Sequence, residues 1–580
     1  MRVRVLVTCF ILVATGTTLF AGKSNPVKQK MAEIALPSEN GATLPQKNPS
    51  TFIAPSVPPS PSAVGTYTGI SGYFDYQLNA GSAQYIRLDK TDATGNKIHA
   101  IFMTALDSLA PTGPTRRTAY VYSSNGGQTW TSFSSLAVPN RRSGYPAMDM
   151  LQGSTQGVII ANHNDPGTGL STVVFVDSPP GTGAFSELNT PAALGGDEPI
   201  WPGVAGTADG SIVLSASRSA AGTGHYSRTT DFASWTPWAT TVPSASAGLP
   251  VKANGTGRVA IALNRSFVTP DDGVYILEST NNGSTWPGSA TNIAPDPRVV
   301  GRDTFAHTLG VDMVYNGTAL YAAFAETNIG VNAPTDSAQI SFWSQATGVK
   351  VAASKVNTPN ITPFENLPTL NCVTLDMPSI GMSGTTIVIA YQGMINKDTA
   401  SNGYNNNDIF LVQSNNGGAT WSAPRNITNT RGLDERFVSV APWNEPGKVN
   451  LVWQEDPQAG GNIIGDPGAT VNRTRQVFLK TTLTDVRIED LLPQQFALGQ
   501  NYPNPFNPAT KIQYRLPFGS DVKLSVYNLL GQEVATLVNG YRTAGSYEAD
   551  FMATKLASGV YYYTLKAGRF TETKKMILTK

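Results

Sequence analysis

Ile409-Phe410-Leu411-Val412-Gln413-Ser414-Asn415-Asn416-Gly417-Gly418-Ala419-Thr420-Trp421 joins a β-forming run to a tight polar turn and a tryptophan. The pattern Ser-x-Asn-x-Gly-x-Thr-Trp recurs twice upstream, on Ser123, Asn125, Gly127, Thr129 and Trp130 and on Ser279, Asn281, Gly283, Thr285 and Trp286. Each copy follows a short apolar run (TAYVY, GVYILE, DIFLVQ), so Asn and Gly fall where a hairpin needs positive φ and Trp opens the returning strand. Ser and Thr hydroxyls are placed to bond backbone inside the loop, and the indole to cover the hairpin base. Three copies of one five-position pattern, each after a strand, mark a repeating fold.

A longer unit repeats around these turns. Seven β-forming runs align, at Ile98–Thr104, Val158–Asn164, Ile212–Arg218, Val259–Arg265, Leu320–Glu326, Ile387–Gly393 and Val449–Glu455, with starts 47 to 67 residues apart. Most are preceded by a second run (YPAMDM, WPGVAG, LPVKAN, LGVDMVY, MPSIGM, FVSVAP) and followed by two more. The expected unit is an inner strand, the aligned strand, then an outer hairpin, and its spacing fits one four-stranded propeller blade.

The three turn octapeptides resemble the Asp-box (BNR) repeat of sialidase-type β-propellers, with the family's aspartate replaced by asparagine in every copy. The expected fold is all-β: a seven-bladed propeller over residues 66–485, alternatively six-bladed as in the sialidase family, with a small Ig-like β-sandwich at the C-terminus.

That C-terminal part, residues 491–580, reads as short alternating strands bounded by Gly, Pro and Asn. Asn501-Tyr502-Pro503-Asn504-Pro505-Phe506-Asn507-Pro508, the run Val526 to Val534 containing Gly531, and Ala557-Ser558-Gly559-Val560-Tyr561-Tyr562-Tyr563 resemble the C-terminal sorting domain (type A) of type IX secretion cargo. The resemblance implies a protein exported by type IX machinery and either released or held on the outer-membrane surface of a diderm bacterium.

The rest of the chain agrees with an exported β protein. Arg2 and Arg4 precede the apolar run Val5 to Phe20, so residues 1–22 read as a signal peptide, too short for a comfortable membrane span, and residues 23–65, rich in Pro and Ser, as a linker. Cys9 lies in the leader, which leaves Cys372 alone and the mature chain without an internal disulfide. With 55 glycines and 40 prolines against 14% charged residues, short strands and turns are favoured over long helices. Lys plus Arg number 41 against 40 Asp plus Glu, so no global field draws the protein to nucleic acid.

In a propeller the ends of second strands and starts of first strands share a face, opposite the octapeptide turns. The last column of the aligned runs places Thr104, Asn164, Arg218, Arg265, Glu326, Gly393 and Glu455 around that rim, joined by Arg141, Arg142, Asp197, Glu198, Arg302, Asp303, Asp376, Asp434, Glu435 and Arg436 from the adjoining loops. Arg218 and Arg265, with Arg142, Arg302, Asn164, Glu326 and Glu455, are the expected ligand contacts, because the planar guanidinium holds an anionic group bidentately. In the sialidase family this face carries an arginine cluster, an acid/base carboxylate and a tyrosine nucleophile. Glu326, Asp303 and Asp376 are the candidate carboxylates here, whereas Tyr145, Tyr226 and Tyr404 are loop tyrosines without a distinguishing context.

His99, His163, His225 and His307 fall in different units without metal-ligand spacing, and only Asp271-Asp272-Gly273 offers an acidic turn for calcium. No cofactor or metal is expected. The polar insert 395–407 and the segment 454–474 are expected to overhang the rim. Three functions follow: a surface-delivered binder of extracellular glycan or protein, an exo-sialidase-type glycoside hydrolase, or a non-catalytic structural or adhesive protein.

Overall fold

The computed structural model describes residues 64–77, 83–109, 115–131, 137–154, 156–165, 170–196, 198–218, 222–241, 249–265, 273–300, 303–328, 338–361, 374–463, 466, 468–483, 496–516, 520–542, 545–568 and 570–579. The expected signal peptide, nearly all of the expected linker, Cys372, Asp271 and Asp272 lie outside them. The chain divides into two compact units, residues 1–483 and 484–580. Every regular element among the described residues is a β-strand.

Among its described residues the first unit contains seven sheets. In chain order, sheet one holds Ile86–Leu88, Ile98–Ala105 and Arg116–Ser123, and sheet two Ser143–Met150, Val158–Asn164, Ser171–Asp177 and Phe185–Glu187. Sheet three holds Ile200–Gly206, Ile212–Arg218, Thr223–Thr229 and Ala239–Thr240, and sheet four Val251–Ala253, Val259–Arg265, Gly273–Ser279 and Thr291–Pro295. Sheet five is built on Asp303–Asn316, Ala319–Asn328, Ala338–Ser344 and Gly348–Ser354, with Arg298–Val300 added beside the first of these. Sheet six is built on Leu375–Ser383, Thr386–Thr399, Asn405–Ser414 and Arg425–Asn426, with Trp443–Asn444 lying parallel to its first strand. Sheet seven takes Asp434–Val440, Lys448–Asp456 and Thr474–Thr482, and its outer strand is Thr66–Gly72, which comes from before sheet one. Each aligned run of the sequence is the second strand of its sheet.

The aligned runs are nearly unbroken in hydrophobicity, although antiparallel strands usually alternate, because both of their faces are covered by neighbouring sheets. Val259, Ile261 and Leu263 pack toward sheet three, whereas Ala260 and Ala262 pack toward sheet five. Ile387, Ile389 and Tyr391 likewise face sheet five, and Val388 and Ala390 face sheet seven. Five seams between consecutive sheets have an apolar cluster each, and the two seams of sheet one share a sixth.

Polar contacts near the innermost strands link the same neighbours. Arg87 of sheet one pairs with Asp149 of sheet two at 3.0 Å, and Asp149 accepts the Gly206 N–H of sheet three at 3.1 Å. Ser215 donates to the carbonyl of Leu249, before sheet four, and Lys252 pairs with Asp312 of sheet five at 3.1 Å. Ser379 of sheet six donates to Asp312 and accepts the Val440 N–H of sheet seven, while Ser439 accepts the Tyr85 N–H just ahead of sheet one. These contacts run through all seven sheets and return to the first. Together with the Thr66–Gly72 strand they close the ring without a disulfide, giving a propeller-like architecture.

The three octapeptide turns have one geometry. The Asn125 Oδ1 accepts the Ser123 hydroxyl and the Thr129 N–H, while its Nδ2 donates to the Thr129 hydroxyl at 2.8 Å. Asn281 and Asn416 repeat these bonds. Asparagine therefore supplies acceptor and donor at once. The indole does more than cover its own hairpin: Trp130, Trp286 and Trp421 reach aromatic rings on the third strands of the preceding sheets, Phe478, Tyr226 and Phe342, at 5.3, 5.0 and 5.1 Å between centroids. Each turn is a staple between sheets.

The second unit has two antiparallel sheets: Ala497–Leu498, Ala509–Leu516 and Gly545–Met552 in one, and Glu533–Arg542, Ser520–Tyr527, Gly559–Ala567 and Phe570–Leu578 in the other. Residues Ala509–Leu516 alternate strictly between exposed and buried, because only one face meets the shared core of Ile512, Tyr514, Leu524, Val526, Phe551, Tyr563 and Leu565. Asn501 is buried here, its N–H donating to the Tyr563 hydroxyl at 2.8 Å and its amide to Thr510 at 3.0 Å.

Candidate functional site

The site expected from the sequence lies where the second strands end and the first strands begin. At that end four first strands carry a large residue in the left-handed region: Tyr145 (φ 47°), Trp201 (φ 57°), Met377 (φ 54°) and Phe437 (φ 57°). Each coincides with a slip in register against the second strand. The bulge turns an otherwise outward side chain inward, at a cost of about 1–2 kcal/mol per residue. The four join Phe74 and Tyr76 in one buried cluster, with Phe74 and Trp201 each edge-on to Tyr145 and Phe437 edge-on to Tyr76. The cluster thus draws together side chains from the first strands of sheets two, three, six and seven.

The row-end residues are taken up sideways, in their own sheets and seams. Glu326 is fully buried, and its carboxylate accepts from Arg298 Nε at 3.0 Å, from Gln339 at 2.9 Å and from the Ser341 hydroxyl. Glu455 is buried against Arg475 at 2.6 Å, whose guanidinium stacks 4.1 Å from the Tyr67 ring. Asn164 accepts from Arg141 at 2.8 Å, and Arg141 forks onto Glu187. Arg218 is half-buried and donates to the Gly195 carbonyl at 3.0 Å. Arg142 is half-buried beside Arg141. Asp197 and Arg302 lie outside the described residues, as do the side chains of Arg265 and Asp303.

Asp376 is fully buried, with only the Met377 N–H and the Thr308 hydroxyl donating to it. Burial pushes its carboxyl up to about 8, so in the fold it is a neutral acid at pH 7. Unfolded it ionises near 3.8. The stability associated with this group is therefore complete below pH 4 and is lost as pH rises through 8. Asp376→Asn, which keeps an acceptor and never ionises, should gain on the wild type by about 1.4 kcal/mol per pH unit between pH 4 and 8. Melting curves at pH 5 and pH 8 check this; a gap equal at both pH values would contradict it.

The residues drawn together at this face belong to sheets six and seven. The insert 395–407 is the extended hairpin end of Thr386–Thr399 and Asn405–Ser414, closed by Ala400 N–H to the Tyr404 carbonyl at 2.8 Å. It packs on the segment after Asp456: Asn402 donates to the Ala459 carbonyl at 2.7 Å, and Gly460 lies against the Tyr404 ring. Beneath them Arg436 is buried on the Phe437 ring, paired with Asp434 at 2.7 Å and bonded to the Gly460 carbonyl at 3.0 Å. Burial works against its charge, but Asp434, Asp456, Asp75 and Asp466 hold it protonated. Burial raises the carboxyls of Asp75, Asp434 and Asp456, the last further through Asp75. Asp408 and Glu435 form a second buried pair in the same seam, both pushed up chiefly by burial, Asp408 to about 6.

The sequence reading missed Asp75, Asp408, Asp456 and Asp466. Asp75 sits in Phe74-Asp75-Tyr76-Gln77, without a motif, and reaches this place only because the ring closes there. Of the histidines, His99 shares a hydrogen bond with the Tyr120 hydroxyl at 2.8 Å and is pushed down to about 4 by burial, so its ring is neutral. His163 contacts Arg116, His225 contacts Thr223 and His307 contacts Asp296, each within or beside its own sheet. Among the described residues, no three of His, Cys, Asp and Glu converge on a metal position.

Residues 500–579 match the family model of the secretion system C-terminal sorting domain. The chain thus carries the address that type IX secretion recognises, and the protein is secreted or placed at the cell surface. No curated protein matches the chain. Among solved structures it is similar to PorZ, a surface component of the type IX secretion system of Porphyromonas gingivalis, at 12% identity and TM-score 0.34, over 87% of this chain and 60% of that one. It is also similar to an ulvan lyase of polysaccharide lyase family PL25, at 9% identity and TM-score 0.42, over 73% of this chain and 100% of that one. An endo-arabinase from Bacteroides thetaiotaomicron matches at 13% identity and TM-score 0.30, over 49% of this chain and 94% of the enzyme. Among the described residues, no helix is long and apolar enough to cross a membrane.

Proposed function

We propose that the protein is a type IX cargo whose seven sheets are the blades of a sialidase-type propeller, stapled by asparagine forms of the Asp-box, and that it binds an extracellular glycan without hydrolysing it. The ligand face is the shallow surface where the hairpin 395–407 meets the segment 457–473, extending to Arg218 and Arg142 on the same rim; Arg265 and Arg302 are proposed to join them. The C-terminal unit is proposed to be an Ig-like sandwich acting as the address alone.

One observation carries the choice of binder over hydrolase. The carboxylates of Glu326, Asp376, Asp434 and Glu455 are at most 1% exposed, whereas the hairpin and its partner segment turn hydroxyls and amides outward, among them Ser401, Asn402, Gln458, Thr470 and Asn472. A general acid must reach the leaving oxygen. Neutral amides and hydroxyls instead offer the paired donors and acceptors that sugar hydroxyls match. The experiment is a screen of the purified protein against acidic and neutral glycans, run beside turnover of a fluorogenic sialoside. Binding without turnover is expected, weakened by Arg218→Ala for acidic glycans only; turnover would replace this reading by the hydrolase, and no binding by the adhesive protein.

A further inference from the structure

The sorting unit carries an apolar feature that its own core does not use. Leu529 and Leu530 are 68% and 83% exposed, side by side on the turn between Ser520–Tyr527 and Glu533–Arg542. An exposed leucine pair on a loose loop would have little meaning, but this turn is fixed from within. The Asn528 Oδ1 accepts the N–H groups of Leu530 and Gln532, both at 3.0 Å, and its Nδ2 donates to the Gln532 side chain at 2.9 Å. The Asn528 N–H reaches the Gln532 carbonyl at 3.0 Å, and the Gly531 N–H, at φ 76°, returns to the Asn528 carbonyl. The asparagine thus occupies the inside of the turn and leaves both leucines outside it.

The surroundings isolate the pair. Next to the turn, Lys523 and Glu533 neutralise each other at 2.8 Å, and Thr536 donates to the same carboxylate. Tyr527, at the end of the strand that leads into the turn, stands opposite Tyr562 in register. Fixed exposed apolar groups gain on binding without the ordering cost that a flexible loop would incur. Two leucines kept in water by a domain that has a complete core of its own are explained by a partner.

We propose that the Leu529–Leu530 turn is the contact by which this domain is read, and that its partner is a component of the secretion machinery presenting an apolar pocket. The choice of occupant rests on the family of the domain: a sorting domain must be recognised in trans, and this turn pairs two of its most exposed apolar side chains on an internally hydrogen-bonded loop. The proposal does not depend on the glycan reading of the ring.

The test uses the full chain in its exporting host. Leu529→Ser with Leu530→Ser should lower the extracellular fraction at least tenfold while the purified chain melts as the wild type. Leu529→Met with Leu530→Met, which keeps an apolar tip, should be exported normally, as should Met552→Ser, which changes an apolar residue 62% exposed elsewhere on the unit. Normal export of the serine variant would overturn the proposal. So would equal loss in the methionine variant, or a fall in melting that accounts for the export defect. A wild-type dimer that the serine variant splits while export persists would assign the turn to self-association instead and overturn it as well. Glycan binding by the ring is read separately and stays unchanged in every variant.

Discussion

Gly418→Ala should destabilise the ring by about 2–5 kcal/mol, although it adds a single methyl group. Gly418 has φ 87°, and a Cβ there would lie 2.0 Å from a ring carbon of Phe342 in the preceding sheet. An L-residue in that conformation costs about 1–2 kcal/mol, and forcing a methyl into a closed seam adds about 1–3 kcal/mol. Gly417, next to it, is the internal control: its φ is 69° and nothing lies within 4 Å of the added carbon, so Gly417→Ala should cost only the conformational part. Gly127 against Phe478 and Gly283 against Val213 repeat the close approach and should repeat the loss. Denaturant unfolding of the Gly417 and Gly418 variants separates the two contributions. Equal losses would mean that the turn is a local hairpin and not a staple between sheets.

The second large effect concerns Glu326. Removing it strips a buried partner from Arg298, Gln339 and Ser341 together, and breaking such a pair costs about 3–5 kcal/mol because the remaining charge stays desolvated. Glu326→Ala should therefore lower the melting temperature sharply and change ligand binding only through unfolding. Replacing both partners with apolar residues of similar volume, Glu326→Leu with Arg298→Met, should recover most of the loss. A Glu326→Ala protein with wild-type melting and lost ligand would return this residue to the binding site.

The sequence was legible where a repeat imposed the same environment many times. The aligned runs mark second strands in all seven sheets because such a strand is covered on both faces, which calls for a nearly continuous apolar run. The octapeptides were legible because a φ-positive glycine and an aromatic staple leave the same letters in each copy. What escaped is set by contacts between distant parts of the chain. Thr66–Gly72 looks like the start of the first unit, yet it is the outer strand of the last, and only ring closure decides this. Tyr145, Trp201, Met377 and Phe437 resemble ordinary strand residues, and their inward turn depends on a register slip that no single run displays. The row-end column lies on second strands, one strand out from the first, and a single run does not display what each member meets there. There the nearest partners of Glu326 and Glu455 are Arg298 and Arg475, in their own sheets.

A ring that folds by its own seams does not need the separate C-terminal unit that acts as its address. The apolar clusters of the ring and of the C-terminal unit share no residue. The most direct measurement is the location of a chain lacking residues 491–580, followed by the melting of the purified truncated protein. The predicted result is a protein that no longer reaches the cell exterior yet unfolds at the same temperature as the ring within the full chain. A truncated chain that still appears outside the cell in normal amount, or one that cannot fold without those residues, would contradict it.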